Sequence, residues 1–282
     1  MSVVPFQRAK AHGKAGHSAR PHEESRRMHQ DIRRPLLGWT LLEASRFVME
    51  AGVLASTWPL LFSAPRGDGH PVMVLPGFAT NDTMTGLLRQ YLKAVGYDVH
   101  KWDLGWNLDQ HTAGENGEHV ARRIDEIAGA TGQRVTLVGW SLGGVIAREA
   151  ARREGRDGAL RQVITLGSPF SGNPKATSLN TLYELLTGNK VSSAETAERY
   201  AFGHHPLPVP STAIYSRSDG ITAWENCVSE TDERTENIEV HCSHFGFVAN
   251  PAVFYAVADR LALAEDDWRP FDRAGPFAAF YP

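Results

Sequence analysis

Residues 135–144 read Val-Thr-Leu-Val-Gly-Trp-Ser-Leu-Gly-Gly, an apolar β-prone run driven into a Gly-x-Ser-x-Gly turn with Ser141 at its apex. A serine so placed suits nucleophilic chemistry, because a sharp strand-to-helix turn lifts the hydroxyl clear of a sheet and aims the next amide at the same spot. Only small residues fit beside such an apex. Gly139 and Gly143 supply them, and Gly144 lets the following helix pack closely. The helix-prone run 145–150 completes the strand–turn–helix context that the motif needs.

A serine hydroxyl is a weak nucleophile at neutral pH, so it needs an imidazole to take its proton and a carboxylate to hold that imidazole. Residues 211–220 form a β-prone run closing on an Asp-Gly pair, which nominates Asp219 as the acid, with Asp232 and Glu230 in reserve. An Asp-Gly pair is also a favoured surface turn. Of twelve histidines, only His241 and His244 lie beyond that acid. His244 is preferred, since it falls in a loop leading to Asn250-Pro251, an N-cap followed by proline at the first helical position. His241, expected on a strand, reads as a packed residue, and His111, His119, His204 and His205 suit surface or lid positions. Charge developing on a substrate carbonyl oxygen requires two amide donors. Leu142 offers one; Phe78, after Leu75-Pro76-Gly77, offers the other unless that segment is a plain turn.

Short apolar runs at 71–75, 97–100, 134–138, 162–166, 211–215 and 237–241 alternate with helical patterns at 82–95, 117–131, 143–153 and 251–264. This rhythm predicts an α/β domain with a mainly parallel sheet covered by helices on both faces. About 44 residues separate Leu166 from Ser211, more than a simple crossover needs, so a small helical lid insertion is expected at about 170–208, with short helices at 179–186 and 194–202. A cover with no gating role is the alternative. Residues 36–62 are the most apolar stretch, interrupted by Glu43, Arg46 and Glu50 on one helical face and by Pro59. Those interruptions exclude a membrane span. The wide greasy face is expected to pack on the rest of the protein, with a lipid interface or a substrate entrance as the other readings.

At 282 residues and 42% hydrophobic composition the chain predicts one globular domain, 35–282, preceded by a basic tail. Residues 1–34 carry eight Lys or Arg against three acids and few large apolar side chains, the composition of a disordered segment or of an electrostatic tether to anionic lipid or another polyanion. Net charge of −3 predicts no nucleic-acid partner. With no secretory pattern at the N-terminus, a cytoplasmic location is expected. Cys227 and Cys242 then remain thiols; in an exported protein they could bridge the acid and base segments. His12, His17, His22 and His29 lack metal-site spacing, and no metal or cofactor is expected. Phe78, Trp106, Trp140 and Trp224 lie near the proposed loops and suggest an apolar pocket, though each also suits packing.

With Leu75-Pro76-Gly77-Phe78 early, Gly139-Trp140-Ser141-Leu142-Gly143-Gly144 central, and Asp219 then His244 late, residues 69–263 resemble the α/β-hydrolase superfamily, most of all its bacterial lipase and esterase branches. The oxyanion segment differs in reading Pro-Gly-Phe where many lipases have His-Gly. The resemblance implies hydrolysis of a small-molecule or lipid-like ester through an acyl-serine intermediate, without cofactor. The same superfamily holds thioesterases, lactonases and acyltransferases, and a non-catalytic binding protein of this fold is a third reading. Serine at the apex disfavours the aspartate-nucleophile members. Oligomeric state is open.

Overall fold

The computed structural model describes residues 32–108, 110–114, 117–155, 158–173, 175–177, 200 and 202–282. The expected basic tail up to residue 31 and the heart of the expected lid, 178–199, lie outside the described residues. Six strands, β1 (Pro71–Leu75), β2 (Asp98–Lys101), β3 (Val135–Trp140), β4 (Leu160–Leu166), β5 (Ser211–Tyr215) and β6 (Thr235–Glu239), form one sheet in the order β2-β1-β3-β4-β5-β6. Every neighbouring pair is parallel. Strands β1, β3 and β4 are buried along their whole length, as expected where helices cover both faces.

Side-chain alternation divides the core in two. Val72 and Val74 of β1, Val138 and Trp140 of β3, and Ile164 and Leu166 of β4 enter one cluster; Met73 and Leu75, Val135 and Leu137, and Val163 enter the other, joined by Leu160 across a register shift at the start of β4. The first cluster is sealed by α1 (Leu37–Thr57), α2 (Gly86–Val95) and the C-terminal helix Pro251–Leu261. The second is sealed by α4 (Glu118–Thr131) and α5 (Leu142–Glu154), with the short α3 (Gln110–Ala113) beside α4. The C-terminal helix, α6, starts as its sequence predicts: the Asn250 side chain accepts from Ala252 N at 2.9 Å and Pro251 occupies the first turn. Helix α2 begins four residues later than expected. Asp82 lies in a turn whose carboxylate accepts from Trp102 N and Asp103 N, anchoring 82–85 to the end of β2.

From β1 the chain steps to one edge through β2, then returns past β1 to build β3 to β6 on the other side. The order reverses between β1 and β3, and the crevice outside the carboxyl ends of those two strands is where such sheets bind ligands. Gly77-Phe78 follow β1 and Ser141 follows β3, so both open onto that crevice.

One expectation is reversed. The charges of α1 point inward: Glu43 is 4% exposed, whereas Leu37, Leu41, Val48 and Met49 are 69–74% exposed. The physical reason is a set of backbone donors beneath the helix, which a carboxylate can satisfy and an aliphatic side chain cannot.

Candidate active site

Ser141 follows β3 with φ 52° and ψ −120°, a conformation that L side chains rarely adopt. Its amide donates to Leu166 O at 2.9 Å, tying the apex to β4. A Cβ added at Gly143 would lie 2.5 Å from Leu75 O and 2.6 Å from Pro76 O, so α5 can start against the end of β1 only with glycine there.

The structure brings the preferred serine, histidine and acid together. His244 Nε2 lies 3.1 Å from Ser141 Oγ, and His244 Nδ1 lies 2.7 Å from Asp219 Oδ2. Asp219 and His244 are both buried. The Asp219 carboxylate is held by its own loop, accepting from Ile221 N at 2.7 Å, Thr222 N at 2.8 Å and Thr222 Oγ1 at 2.8 Å. Burial disfavours the charged imidazole, but the Asp219 carboxylate, helped by Glu43, outweighs it and raises His244 above its ordinary value. From behind, Trp140 Nε1 donates to His244 O at 3.1 Å.

Leu142 opens α5 directly after the apex. A Cβ on Gly77 would sit 3.2 Å from Ser141 Cβ, so the Pro76-Gly77-Phe78 turn lies alongside the serine. Thr80 Oγ1 donates to Gly77 O at 2.7 Å, and in a planar trans peptide the Phe78 N–H points opposite to that carbonyl. Asn107, fully buried, donates to Pro76 O at 2.8 Å, while its backbone exchanges hydrogen bonds with Ala79 and Thr80. It props the turn from below, and nothing local in the sequence marks it.

Helix α1 is the larger omission. Glu43 accepts from Gly220 N at 2.8 Å, from His244 N at 2.9 Å and from Phe245 N at 3.3 Å, so one carboxylate joins the acid loop to the histidine loop. Arg46 donates to Ser218 O at 2.6 Å, Thr40 Oγ1 to Gly220 O at 2.5 Å, and Glu50 accepts from Ser243 N at 2.8 Å. Burial raises the Glu50 carboxyl against the opposing pull of its Ser243 hydrogen bonds. The available signal is charges of both signs sharing one face of an otherwise apolar helix. Glu43→Gln sets an NH₂ donor against backbone donors, so it is expected to destabilise the fold by about 2–4 kcal/mol, seen calorimetrically as a Tm lower by about 5–10 °C.

The remaining candidates stand apart. Asp232 caps Arg234 N at an exposed turn, and Glu230 pairs with His204 and His205 at 3.4 and 3.0 Å. His241 is exposed beyond the end of β6, which spans two residues fewer toward the C-terminus than expected. His119 Nδ1 meets Thr112 O, and the side chain of His111 lies outside the described residues. Trp140 is core, Trp224 stacks on Tyr215 at 5.7 Å, and Trp106 is 57% exposed. Cys227 and Cys242 are buried free thiols, both pushed up by burial.

No family model matches the chain. A curated relative, the pimeloyl-[acyl-carrier protein] methyl ester esterase of Shewanella sp. (strain MR-7), is 33% identical over 96 residues, which is 34% of this chain and 34% of that enzyme's length. Among solved structures, Aspergillus fumigatus lipase B aligns with a TM-score of 0.54 and 20% identity over 69% of this chain and 52% of its own. Bacillus licheniformis lipase BlEst2 in mature form aligns with a TM-score of 0.52 and 19% identity, covering 71% of this chain and 94% of its own. Paleococcus ferrophilus monoacylglycerol lipase aligns with a TM-score of 0.51 and 17% identity over 71% and 96%. At such identities the likeness is one of architecture, and it agrees with the sheet order and the switch point already described: the chain has the α/β-hydrolase fold.

Proposed function

We propose that this chain is a serine hydrolase that cleaves carboxylic esters through an acyl-enzyme. The observation that carries the reading is the unbroken run Ser141 Oγ, His244, Asp219 at 3.1 and 2.7 Å, at the switch point of the sheet. His244 Nε2 takes the Ser141 proton as Oγ attacks the ester carbonyl, and the oxyanion is received by the amides of Leu142 and Phe78. The imidazolium returns that proton to the departing alcohol. Water, deprotonated by the same nitrogen, then releases the acid and restores the serine. Asp219 keeps Nδ1 protonated, so Nε2 stays free to accept. The names of the curated relative and of the structural neighbours, an esterase and lipases, support an ester as substrate.

A fluorophosphonate tests the reading, because it phosphonylates only a hydroxyl activated in this way. The expected result is a single adduct on the peptide holding Ser141, with cleavage of chromogenic esters lost in step. Complete labelling that leaves ester cleavage intact, or an adduct on another serine, would overturn it.

A further inference from the structure

Helix α1 turns the face carrying Glu43, Arg46, Glu50 and Leu54 to the protein and leaves a second, wholly apolar face outside. Glu43, Arg46 and Glu50 are its only charged residues, and each is engaged with the loops that hold Asp219 and His244. The outer face carries Leu37, Leu41, Leu42, Val48 and Met49, each at least 50% exposed, with no charge among them. Continuous exposed apolar surface of this kind marks an interaction site. Among the described residues no helix is long and apolar enough to cross a membrane, so this helix can lie on a bilayer but not span one. The chain leading into it is basic, eight Lys or Arg against three acids in residues 1–34, in a protein whose net charge is −3. An apolar helix face continuous with a basic segment is complementary to acyl chains beneath anionic headgroups.

We propose that the outer face of α1 docks on an anionic lipid surface, the anionic preference coming from the basic sequence that precedes the helix. The docking itself stands on the helix and the charge; its consequence, that the esters cleaved are membrane-borne lipid esters, rests on the hydrolase reading above. Because the inner face of the same helix holds the histidine and acid loops, docking would bring the lipid to the element that positions the candidate site.

The full chain is tested by co-sedimentation with phosphatidylcholine vesicles and with vesicles in which about a third of the lipid is phosphatidylglycerol, the anionic component that recruits basic segments. Partition onto the anionic vesicles is expected. Arg26→Gln/Arg27→Gln/Arg33→Gln should weaken it about a hundred-fold. Leu41→Glu/Val48→Glu should weaken it at least about ten-fold, with Tm and cleavage of a soluble short-chain ester unchanged. No binding to either vesicle, or binding indifferent to Leu41→Glu/Val48→Glu, overturns the proposal. So does self-association abolished by those two substitutions in the absence of vesicle binding, which assigns the face to a second copy. Binding by a chain that cleaves no ester leaves the docking intact and removes the hydrolase reading; cleavage of soluble ester without binding does the converse.

Discussion

Ser141→Ala is expected to lower kcat for ester cleavage by about 10⁵–10⁶-fold, the scale seen when the nucleophile of a serine–histidine–acid set is removed. His244→Ala should cost about as much, and the double substitution no more than either alone, because the two side chains act in one step. The apex should survive the loss of the hydroxyl: Ser141 is held by the hydrogen bond its backbone N–H donates to Leu166 O and by the flanking glycines, none of which involves Oγ. Far-ultraviolet circular dichroism and Tm therefore stay at wild-type values while turnover disappears. A Ser141→Ala protein retaining within about ten-fold of wild-type kcat would remove the serine from the chemistry, since residual catalysis from binding and oxyanion donors alone is far smaller.

Asp219→Asn is expected to lower kcat by about 10⁴-fold through a different route. The carboxylate oxygen that bonds Ile221 N and Thr222 N can be replaced by the amide oxygen, which keeps the loop in place. The other position becomes an NH₂ donor facing His244 Nδ1, so the imidazole carries its proton on Nε2 and can no longer accept from Ser141. The pH profile separates this from a mere loss of stability. In the wild-type protein activity should fall as pH drops through a His244 value lying above 6.5, because only the neutral ring is a base. Without the Asp219 charge the burial of the ring dominates, His244 falls, and the acid limb of kcat/KM must move to lower pH. A limb that stays where it was would belong to some other group.

What could be read from the sequence follows from the range over which each feature is determined. The bounds of β1 and β5 match residue for residue, and the serine turn falls between a strand and a helix, because short apolar, β-prone runs and small-residue turns are written in neighbouring positions. The order serine, acid, histidine likewise needed only the ends of three strands. Orientation of α1 did not follow. Its amphipathic pattern was visible, but which side faces inward depends on amide donors 177 and 201 positions away, at Gly220 and His244. Hydrophobicity alone then points the wrong way, because it takes no account of the three buried amides that Glu43 satisfies and that would otherwise be left unpaired. Asn107 is silent in the sequence for the same reason: its partner, Pro76 O, lies 31 positions away, and an isolated asparagine in a loop carries no periodic signal.

The dihedral angles at residue 141 have a further cost. A non-glycine residue held at φ 52°, ψ −120° stores torsional energy on the order of 1–3 kcal/mol, and it persists only while β4 and the packed glycines deny the backbone an easier shape. Reactivity and resilience are therefore opposed at a single peptide unit. On warming, the expected order is that turnover fails while the far-ultraviolet circular dichroism of the sheet is still intact, because the strained apex has the most to gain by relaxing.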